Sequence, residues 1–275
     1  MLILAATPIG HIGDASPRLV ETLATADIIA AEDTRRITRL LAKLEVETNA
    51  RLQSYFEGNE EHRTAQLLDE LRGGATVVVV SDAGMPSVSD PGYRIVTAAI
   101  DAGITVTAVP GPSAVVTALA VSGLPVDRFT FEGFLPRKAG ERDRLLADLA
   151  DQARTMVFFE SPHRTRASLV AMREAWDAGR RAAVCRELTK MHEEVARGSL
   201  TELIEWCDQH ERPIRGEVTI VAEGARVTSP TYATEDLRAM VDRQEAAGLS
   251  RRDAIALVAQ NTGLPKRTVY AAAHS

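Results

Sequence analysis

The chain has little cysteine and no long apolar run. Both features limit the classes of protein to which it can belong. Its 275 residues include two cysteines, Cys185 and Cys207, and neither belongs to a CxxC pair or lies near a histidine pair. This pattern argues against both a disulfide framework and a zinc site. No apolar stretch approaches the roughly 20 residues that a membrane-spanning helix needs. The apolar start runs without basic residues into Thr7 and Pro8, so we predict a first strand, no signal peptide and a cytoplasmic location.

Two further absences concern ligands. No GxGxxG segment follows a predicted strand of the first half and no GxxxxGK[ST] segment occurs, so neither a Rossmann dinucleotide site nor a P-loop is expected. The formal net charge of −6 gives no support for a nucleic-acid partner, because such domains usually carry a basic surface. Residues 226–275 differ, with seven Lys/Arg against five Asp/Glu. This tail is therefore a candidate contact for a polyanion.

Apolar runs that open into glycine- and proline-bearing loops are the main positive signal. The four valines at 77–80 predict a strand buried on both faces of a parallel sheet. Residues 81–92 follow and are too small and polar for a core. A second run leads into residues 110–113, where Ser113 is placed to cap a helix. Ligands of open α/β sheets bind at the carboxyl ends of strands. We interpret the loops as a ligand site, and ordinary strand-to-helix turns are the alternative.

The order of predicted elements indicates three parts. Alternating strands and helices predict two α/β domains, residues 1–112 and 113–228. Residues 229–275 are predicted to be purely helical, with one helix starting at Ser250 and a second led by Lys266 and Arg267. This pattern is like that of a helix-turn-helix. A small helical lid or a dimer contact explains it equally well.

Polar clusters follow several predicted strands and supply the candidates for proton transfer. Lys190 lies among acidic residues, an arrangement that suits either a surface ion-pair network or a charge-tuned group. His163 and His192 have no ligand partner four residues on, so we expect no metal site. The candidate catalytic residues are Lys190, Glu187, Asp82 and Glu160.

Eight characteristic segments occur in order across both predicted α/β domains: TPIG (7–10), EDTR (32–35), SDAGMP (81–86), SDPG (89–92), PGPSA (110–114), FEGFLP (131–136), ESPHR (160–164) and RELTK (186–190). With these segments the chain resembles the tetrapyrrole methylase family, and within it the branch that methylates ribosomal RNA. Two positions depart from the expected pattern, His11 in place of asparagine and Met85 in place of threonine.

The resemblance implies S-adenosylmethionine in the cleft between two α/β domains, and a homodimer. It also implies methyl transfer to the ribose 2′-oxygen of a cytidine in the decoding region of small-subunit (16S) rRNA, free or in the assembled small subunit. By motif position, the donor pocket comprises Pro8, Gly84, Met85, Val88, Ser113, Ala114 and Leu188. The basic residues expected along the RNA are Arg35, Arg36, Arg137, Lys138, His163, Arg164, Lys266 and Arg267.

The reaction itself directs the search for a base. A ribose hydroxyl is a weak nucleophile, and an ordinary carboxylate is a poor base for it unless its pKa is raised, whereas a lysine with a lowered pKa would be closer to the working pH. Our hypothesis is that Lys190 deprotonates or orients the hydroxyl. Two other functions are compatible with the sequence: a small-molecule methyltransferase of the tetrapyrrole branch, and a non-catalytic RNA-binding protein on the same fold.

Overall fold

The structure is a computed structural model that describes residues 1–210, 213–225 and 232–275. They form two compact units, Met1–Ala225 and Arg226–Ser275, each with a hydrophobic core of its own. The predicted boundary at 228/229 lies outside the described residues. The boundary at 112/113 stays a prediction, and it falls between two separate sheets of the first unit.

The first sheet is parallel throughout, as its run of valines predicts. Its central strand pairs through Val78 with Ile3 on one side and Ile29 on the other, and all four valines are buried. The strands are β1 (Leu2–Ala5), β2 (Ile28–Ala31), β3 (Arg51–Ser54), β4 (Val77–Val80) and β5 (Val106–Val109), in the spatial order β3-β2-β4-β1-β5.

Helices cover both faces of this sheet, because the strands carry apolar residues on both sides. On one face, α1 (Pro17–Thr25) and α2 (Thr34–Lys43) pack against Ile3 and Ile29. On the other face, α3 (Glu60–Arg72) and α4 (Tyr93–Asp101) complete the core. The apolar faces of these helices bury Leu19, Leu23, Ile37, Leu41, Leu67, Leu71, Ile95 and Ala99.

The second sheet is mixed. Only β6 and β7 are parallel, while β10 runs antiparallel to both of its neighbours, so that Val218 pairs with Glu160 and with Arg186. The strands are β6 (Phe129–Phe134), β7 (Thr155–Glu160), β8 (Arg181–Arg186), β9 (Glu194–Ser199) and β10 (Val218–Ala222), in the order β6-β7-β10-β8-β9. The sequence did not predict β9, because its residues contain no apolar run.

One helix covers one face of the second sheet and three cover the other. Helix α5 (Ala114–Ser122) packs its apolar side on Val157 and Val221, in a cluster that also contains Ile9 from the first half of the chain. The opposite face carries α6 (Ala139–Asp148), α7 (Thr165–Ala175) and α8 (Leu200–Gln209). The cluster under α5 therefore joins the two halves of this unit.

A bulge interrupts β6 near its end. Phe131 pairs with Val157, but the next paired residue is Gly133, opposite Phe158, so Glu132 is an extra residue. Gly133 has φ +68°, a conformation that glycine adopts without steric cost. Side chains alternate between the faces of a strand, so the extra residue returns Phe134 to the face of the sheet that Phe131 occupies.

The second unit is helical, and the predicted α/β class with a helical C-terminal segment is confirmed. Its helices are α9 (Thr234–Ala246), α10 (Arg251–Thr262) and α11 (Lys266–His274). Ser250 caps α10 by accepting a hydrogen bond from the Asp253 backbone N–H at 3.2 Å, as expected. Leu237, Val258 and Val269 lie in the shared core. Among the described residues, no helix is long and apolar enough to cross a membrane.

Candidate active site

A cavity of about 390 Å³ lies where carboxyl ends of strands from both sheets meet. A second cavity, of about 240 Å³, adjoins it and shares Ile9, Arg36, Asp82, Ala83 and Glu217 with it. The first sheet contributes strand-end loops, as expected for an α/β site. The second sheet contributes the ends of β6 and β7 and, because β10 is antiparallel, the amino end of β10. Residues lining the larger cavity include Glu32, Gly84, Met85, Val88, Asp90, Ser113, Ala114, Phe134, Phe159 and Thr219.

Five of the seven residues predicted for the donor pocket line this larger cavity: Gly84, Met85, Val88, Ser113 and Ala114. The other two lie elsewhere. Pro8 lines the adjoining cavity, and Leu188 is 7% exposed in the cluster beneath α5.

The loop after β4 is held to the loop after β1. Thr7 and Gly84 exchange two backbone hydrogen bonds, of 2.9 and 3.1 Å, which fix the two loops relative to each other. Gly84 has φ +84°. At the far end of the loop, the Gly92 N–H donates to Glu60 Oε1 at 3.0 Å. The loop is therefore anchored by hydrogen bonds at both of its ends.

Backbone strain is concentrated in the same loop. Ser87 and Ser89 have φ of +72° and +63°, values uncommon for residues with a side chain. Gly92 has φ +145°, and a Cβ added there would collide with Ser87 Oγ. Ser87 Oγ is itself buried without a hydrogen-bond partner. Strained, over-determined backbone of this kind clusters at functional sites.

Ser113 holds the predicted N-cap position of α5, but its side chain makes no capping hydrogen bond. The predicted position of Ser113 is therefore correct, but the predicted capping hydrogen bond is not formed. The hydroxyl lines the cavity at the amino end of α5 instead, where the helix dipole and free backbone N–H groups favour electron-rich ligand atoms.

Five acidic residues line the larger cavity, and Arg36 lies among them: Glu32, Asp82, Asp90, Glu160 and Glu217. Asp82 accepts from the Asp33 N–H at 3.1 Å and pairs with Arg36 at 3.3 Å. Burial raises the pKa of Asp82, against the opposing charge of Arg36. Burial and then the charge of Asp82 also raise the pKa of Glu32.

Asp90 has the most perturbed carboxyl group of this set. Burial raises its pKa to about 6, and the charges of Glu32, Asp82 and Glu217 act in the same direction against a hydrogen bond from Ser81. Asp90 lies in the SDPG segment (89–92), and the motif did not indicate it as a base. A polar residue in a strand-end loop was the available signal.

Lys190 lines the adjoining cavity and donates to two carboxylates, Glu187 at 2.8 Å and Glu217 at 2.9 Å. Burial lowers the pKa of Lys190, but these two hydrogen bonds outweigh it and the net shift is upward. The pKa of Glu187 is lowered, because the bonds from Lys190 and from the Glu217 N–H outweigh its burial. The direction of this shift is opposite to the lowered pKa that a lysine base requires, and Lys190 is held as a cation between two carboxylates.

Glu160 and Arg164 form an ion pair, and each also forms hydrogen bonds with nearby groups of the chain. Glu160 is buried and accepts from the Ser161 N–H at 2.7 Å and from Ser168 Oγ. Arg164 lies 3.6 Å from Glu160 and donates to the carbonyls of Leu135 and Pro136, at 2.9 Å each. Both charged groups have partners within the chain. Their geometry is that of a brace between α7 and the end of β6.

The remaining residues predicted to contact RNA are at the surface. Arg35 forms a bidentate pair with Asp33, and this hydrogen bonding lowers the pKa of Asp33 to about 2. Arg137 and His163 are exposed, and Lys138 is 81% exposed beside Glu141. In the helical unit, Lys266 and Arg267 begin α11 and are exposed.

Of the two departures from the expected motif, His11 has a structural explanation. Its Nδ1 accepts a hydrogen bond from the Gly13 N–H at 3.1 Å, which caps a short 3-10 turn. An asparagine side chain can accept the same bond. The His11 N–H donates to Thr189 Oγ1 at 3.0 Å, so this loop also contacts the segment after β8.

In the described ranges, no group of three or more His, Cys, Asp or Glu residues is placed to hold a metal ion.

Comparison with known proteins places this geometry in a family. The model of "Tetrapyrrole (Corrin/Porphyrin) Methylases" matches residues 1–204. The chain belongs to the tetrapyrrole methylase family. A second model, "RsmI C-terminal HTH domain", matches residues 234–275 and confirms the helix-turn-helix pattern predicted there.

Individual relatives within and around the family agree. The chain is 51% identical to a protein of Mycobacterium tuberculosis (strain CDC 1551 / Oshkosh) named "Ribosomal RNA small subunit methyltransferase I", over 98% of this chain and 93% of that protein. A protein of Halalkalibacterium halodurans with the same name is 42% identical with the same coverage.

Solved structures show the shared fold. The methyltransferase CobJ matches with a TM-score of 0.61 and 21% identity, over 82% of this chain and 94% of its own. Uroporphyrin-III C-methyltransferase from Thermus thermophilus, solved with S-adenosyl homocysteine, matches with a TM-score of 0.55 and 21% identity, over 81% of this chain and 96% of its own.

Proposed function

We propose that this tetrapyrrole methylase family member transfers a methyl group from S-adenosylmethionine to the ribose 2′-oxygen of a cytidine in the decoding region of 16S rRNA. One observation carries the choice of RNA over a tetrapyrrole. The curated rRNA methyltransferases match 98% of this chain, whereas the matched tetrapyrrole enzymes cover 81–82%. The additional part includes the helix-turn-helix domain, which suits nucleic acid and is not needed for a small molecule.

The larger cavity suits the donor in size and lining. Its volume of about 390 Å³ is in the range of small-molecule sites, roughly 300 to 1,000 Å³. Ile9, Met85 and Val88 supply apolar contacts, and the carboxylates of Glu32 and Asp82 favour a positive charge nearby. When bound, S-adenosylmethionine supplies a methyl group that is activated by its bond to a positively charged sulfonium sulfur. Loss of that methyl group leaves a neutral thioether. In this proposal Gly84, Met85, Val88, Ser113 and Ala114 hold the donor in the larger cavity, Pro8 contacts it from the adjoining cavity, and Leu188 supports the pocket from the cluster beneath α5.

Among the candidates for proton acceptor, geometry favours Asp90. Lys190 is a fixed cation with two carboxylate partners, and Glu187 is one of these partners. Glu160 is buried in its brace, and Asp82 is paired with Arg36. Asp90 lines the cavity, and burial raises its pKa to about 6, closer than an ordinary carboxyl group to the working pH at which a general base is most effective.

The chemical step consists of methyl transfer and the uptake of one proton. In this proposal the donor-pocket residues would hold S-adenosylmethionine as the source of the methyl group for the 2′-oxygen, and Asp90 would take up the proton of the hydroxyl. Close placement of the reacting atoms supplies much of the rate. The charged groups facing Asp90 are Glu32, Asp82 with its partner Arg36, and Glu217 with its partner Lys190. Lys190 acts here by orienting Glu217 and the segment after β8.

Exposed basic residues hold the RNA in this proposal. Arg137, Lys138 and His163 are exposed at the surface, where they contact phosphates, and Lys138 would exchange its ion pair with Glu141 for a phosphate. Arg164 acts as a positioning residue through its hydrogen bonds to the carbonyls of Leu135 and Pro136. Lys266 and Arg267 form a further contact on the helical unit. The chain acts in the cytoplasm as a homodimer, on 16S rRNA or on the assembled small subunit.

The deciding experiment measures methyl transfer from radiolabelled S-adenosylmethionine to purified small ribosomal subunits and to bare 16S rRNA, with mass spectrometry of the modified nucleoside. We expect 2′-O-methylcytidine. Incorporation into neither RNA by a protein that binds the donor, together with activity on a porphyrin, would favour the small-molecule branch. Failure to bind the donor would favour the RNA-binding alternative.

The helical unit has its own test. Replacing Lys266 and Arg267 by alanine removes two exposed cations, so RNA affinity should fall and the slope of log affinity against log salt should decrease by about 1 to 2. Donor affinity should stay unchanged. Replacing Arg238 and Arg243 of α9 in the same way is the matched control. An equal loss in both variants would mean that the unit contributes only general charge.

A further inference from the structure

Three of the six phenylalanines gather beside the cavity, in a chain with only 4% aromatic residues. The rings of Phe131 and Phe159 lie 4.9 Å apart at 67°, and those of Phe134 and Phe159 lie 5.6 Å apart at 59°. Phe134 and Phe159 line the cavity. Phe134 is 57% exposed, and an exposed large apolar group beside a cavity is the informative exception among surface residues.

The bulge in β6 is responsible for this placement. In a regular strand Phe134 would face away from Phe131, towards the core that α6, α7 and α8 cover. The extra residue, Glu132, reverses that phase and directs Phe134 to the cavity side, opposite Phe159. Without the bulge the cavity would lack its largest exposed apolar side chain.

The backbone after Phe134 is fixed as well. Leu135 is buried in the core on the opposite face. Arg164 holds the carbonyls of Leu135 and Pro136, and Glu160 holds Arg164. Phe134 is therefore fixed between the bulge on one side and this brace on the other. A ring carried on a backbone that is held on both sides loses less entropy when a planar ligand stacks on it than a ring on an unanchored loop.

From this geometry we infer that Phe134 is the stacking platform for the pyrimidine ring of the target nucleotide. The inference rests on the proposed function. An enzyme that modifies a nucleotide must take it out of the base stack, and such bases stack on aromatic side chains. The exposed cations Arg137 and Lys138 follow three and four residues later, where they can contact the adjacent phosphates. The adenine ring of the donor is the other planar group that would fit this cavity. The test below distinguishes stacking of the pyrimidine on Phe134 from stacking of the adenine.

The test compares Phe134→Leu, which keeps an apolar side chain, with Phe134→Tyr, which keeps the ring. The control is Phe129→Leu, because Phe129 begins the same strand and is 39% exposed outside the cavity lining. The readouts are kcat/KM for small ribosomal subunits, the dissociation constant of S-adenosylhomocysteine by calorimetry, and the fluorescence of a short RNA with pyrrolocytosine at the target position. Stacking quenches this fluorophore.

We expect Phe134→Leu to lower kcat/KM for the RNA by about 10- to 100-fold and to relieve the quenching. Phe134→Tyr and Phe129→Leu should stay within about twofold of the parent protein, and the affinity for S-adenosylhomocysteine should change little in any variant. Full activity of Phe134→Leu would overturn the inference. A parallel loss of S-adenosylhomocysteine affinity would also overturn it, because the ring would then belong to the donor.

The fluorescence readout also separates this inference from the proposed function. If the parent protein quenches pyrrolocytosine and Phe134→Leu does not, the platform stands even where no 2′-O-methylcytidine is formed. If the parent protein methylates RNA without quenching the fluorophore, the platform is wrong and the proposed function stands.

Discussion

The two sheets of the larger unit reach the same cavity by different routes. The parallel sheet contributes only loops that follow strands, such as residues 81–92 after β4. The mixed sheet contributes strand ends of both directions, since Val218 and Thr219 open β10 and still lie beside Glu160, the last residue of β7. Strand direction therefore decides which end of a strand is functional, and a rule based on carboxyl ends applies to only one of the sheets.

Replacing Asp90 by asparagine tests the contribution of the parallel sheet and should have the largest effect. With a pKa of about 6, the carboxylate becomes more populated as the pH rises through 6, so kcat of the parent protein should rise over that range and then level off. The variant should lose about 10²- to 10⁴-fold in kcat together with this pH dependence. The measurement is single-turnover methyl transfer between pH 5 and 8. The rise in kcat through pH 6 is the acid limb of the rate profile. A variant that retains the same acid limb would exclude Asp90 as the base.

Gly92→Ala tests whether the strained loop depends on its glycine. A Cβ there meets Ser87 Oγ, whereas one at Gly103, with φ +70°, meets nothing within 4 Å. Both variants carry the conformational cost of a side chain at positive φ, so Gly103→Ala is the control. We expect Gly92→Ala to lower the free energy of unfolding by about 1 to 3 kcal/mol more than the control, as measured by urea denaturation. Equal losses would show that the loop adapts.

Lys190→Met tests the corresponding loop of the mixed sheet. Loss of a charge-assisted hydrogen bond of about 1.5 kcal/mol corresponds to a roughly tenfold decrease in kcat. The midpoint of the acid limb should remain near pH 6, because Lys190 is not the group that titrates there. Lys138→Met is the control, since its ion pair with Glu141 is exposed and such pairs contribute little. A variant with full turnover and normal RNA binding would remove Lys190 from the mechanism.

Glu217→Gln should have the smallest effect. Its negative charge raises the pKa of Asp90 from the opposite sheet. Removing it should therefore lower that pKa and move the acid limb of the rate profile to lower pH, by less than about half a unit. Glu223→Gln, near the end of β10 away from the cavity, should leave the midpoint unchanged. A shift towards higher pH would contradict the assignment of the limb to Asp90.

The parallel sheet was the more predictable part of the fold. Its strands carry continuous apolar runs, and Gly84 and Ser113 follow them directly, so composition alone located both loops. The donor residues came from motif resemblance, and five of them share one cavity. Asp90 belongs to the SDPG motif, but its burial and its acidic neighbours arise only when residues 32, 82 and 217 converge in space.

The mixed sheet was harder to predict. The apolar run of β10 does not reveal that the strand is antiparallel, so Glu217 and Thr219 were not expected at the site. The bulge at Gly133 is a single extra residue, and strand periodicity without it assigns Phe134 to the wrong face. The pKa of Lys190 likewise depends on Glu217, which lies 27 positions away in the chain.

The pair of hydrogen bonds between Thr7 and Gly84 has a consequence for how the site opens. Two loops joined in this way cannot separate one at a time, because moving either of them breaks both bonds. The exchange of the Thr7 and Gly84 amide protons with solvent should therefore report a single opening event, with the same protection factor for both. A ligand that contacts either loop slows that event for the other, which makes them one cooperative element of the larger unit.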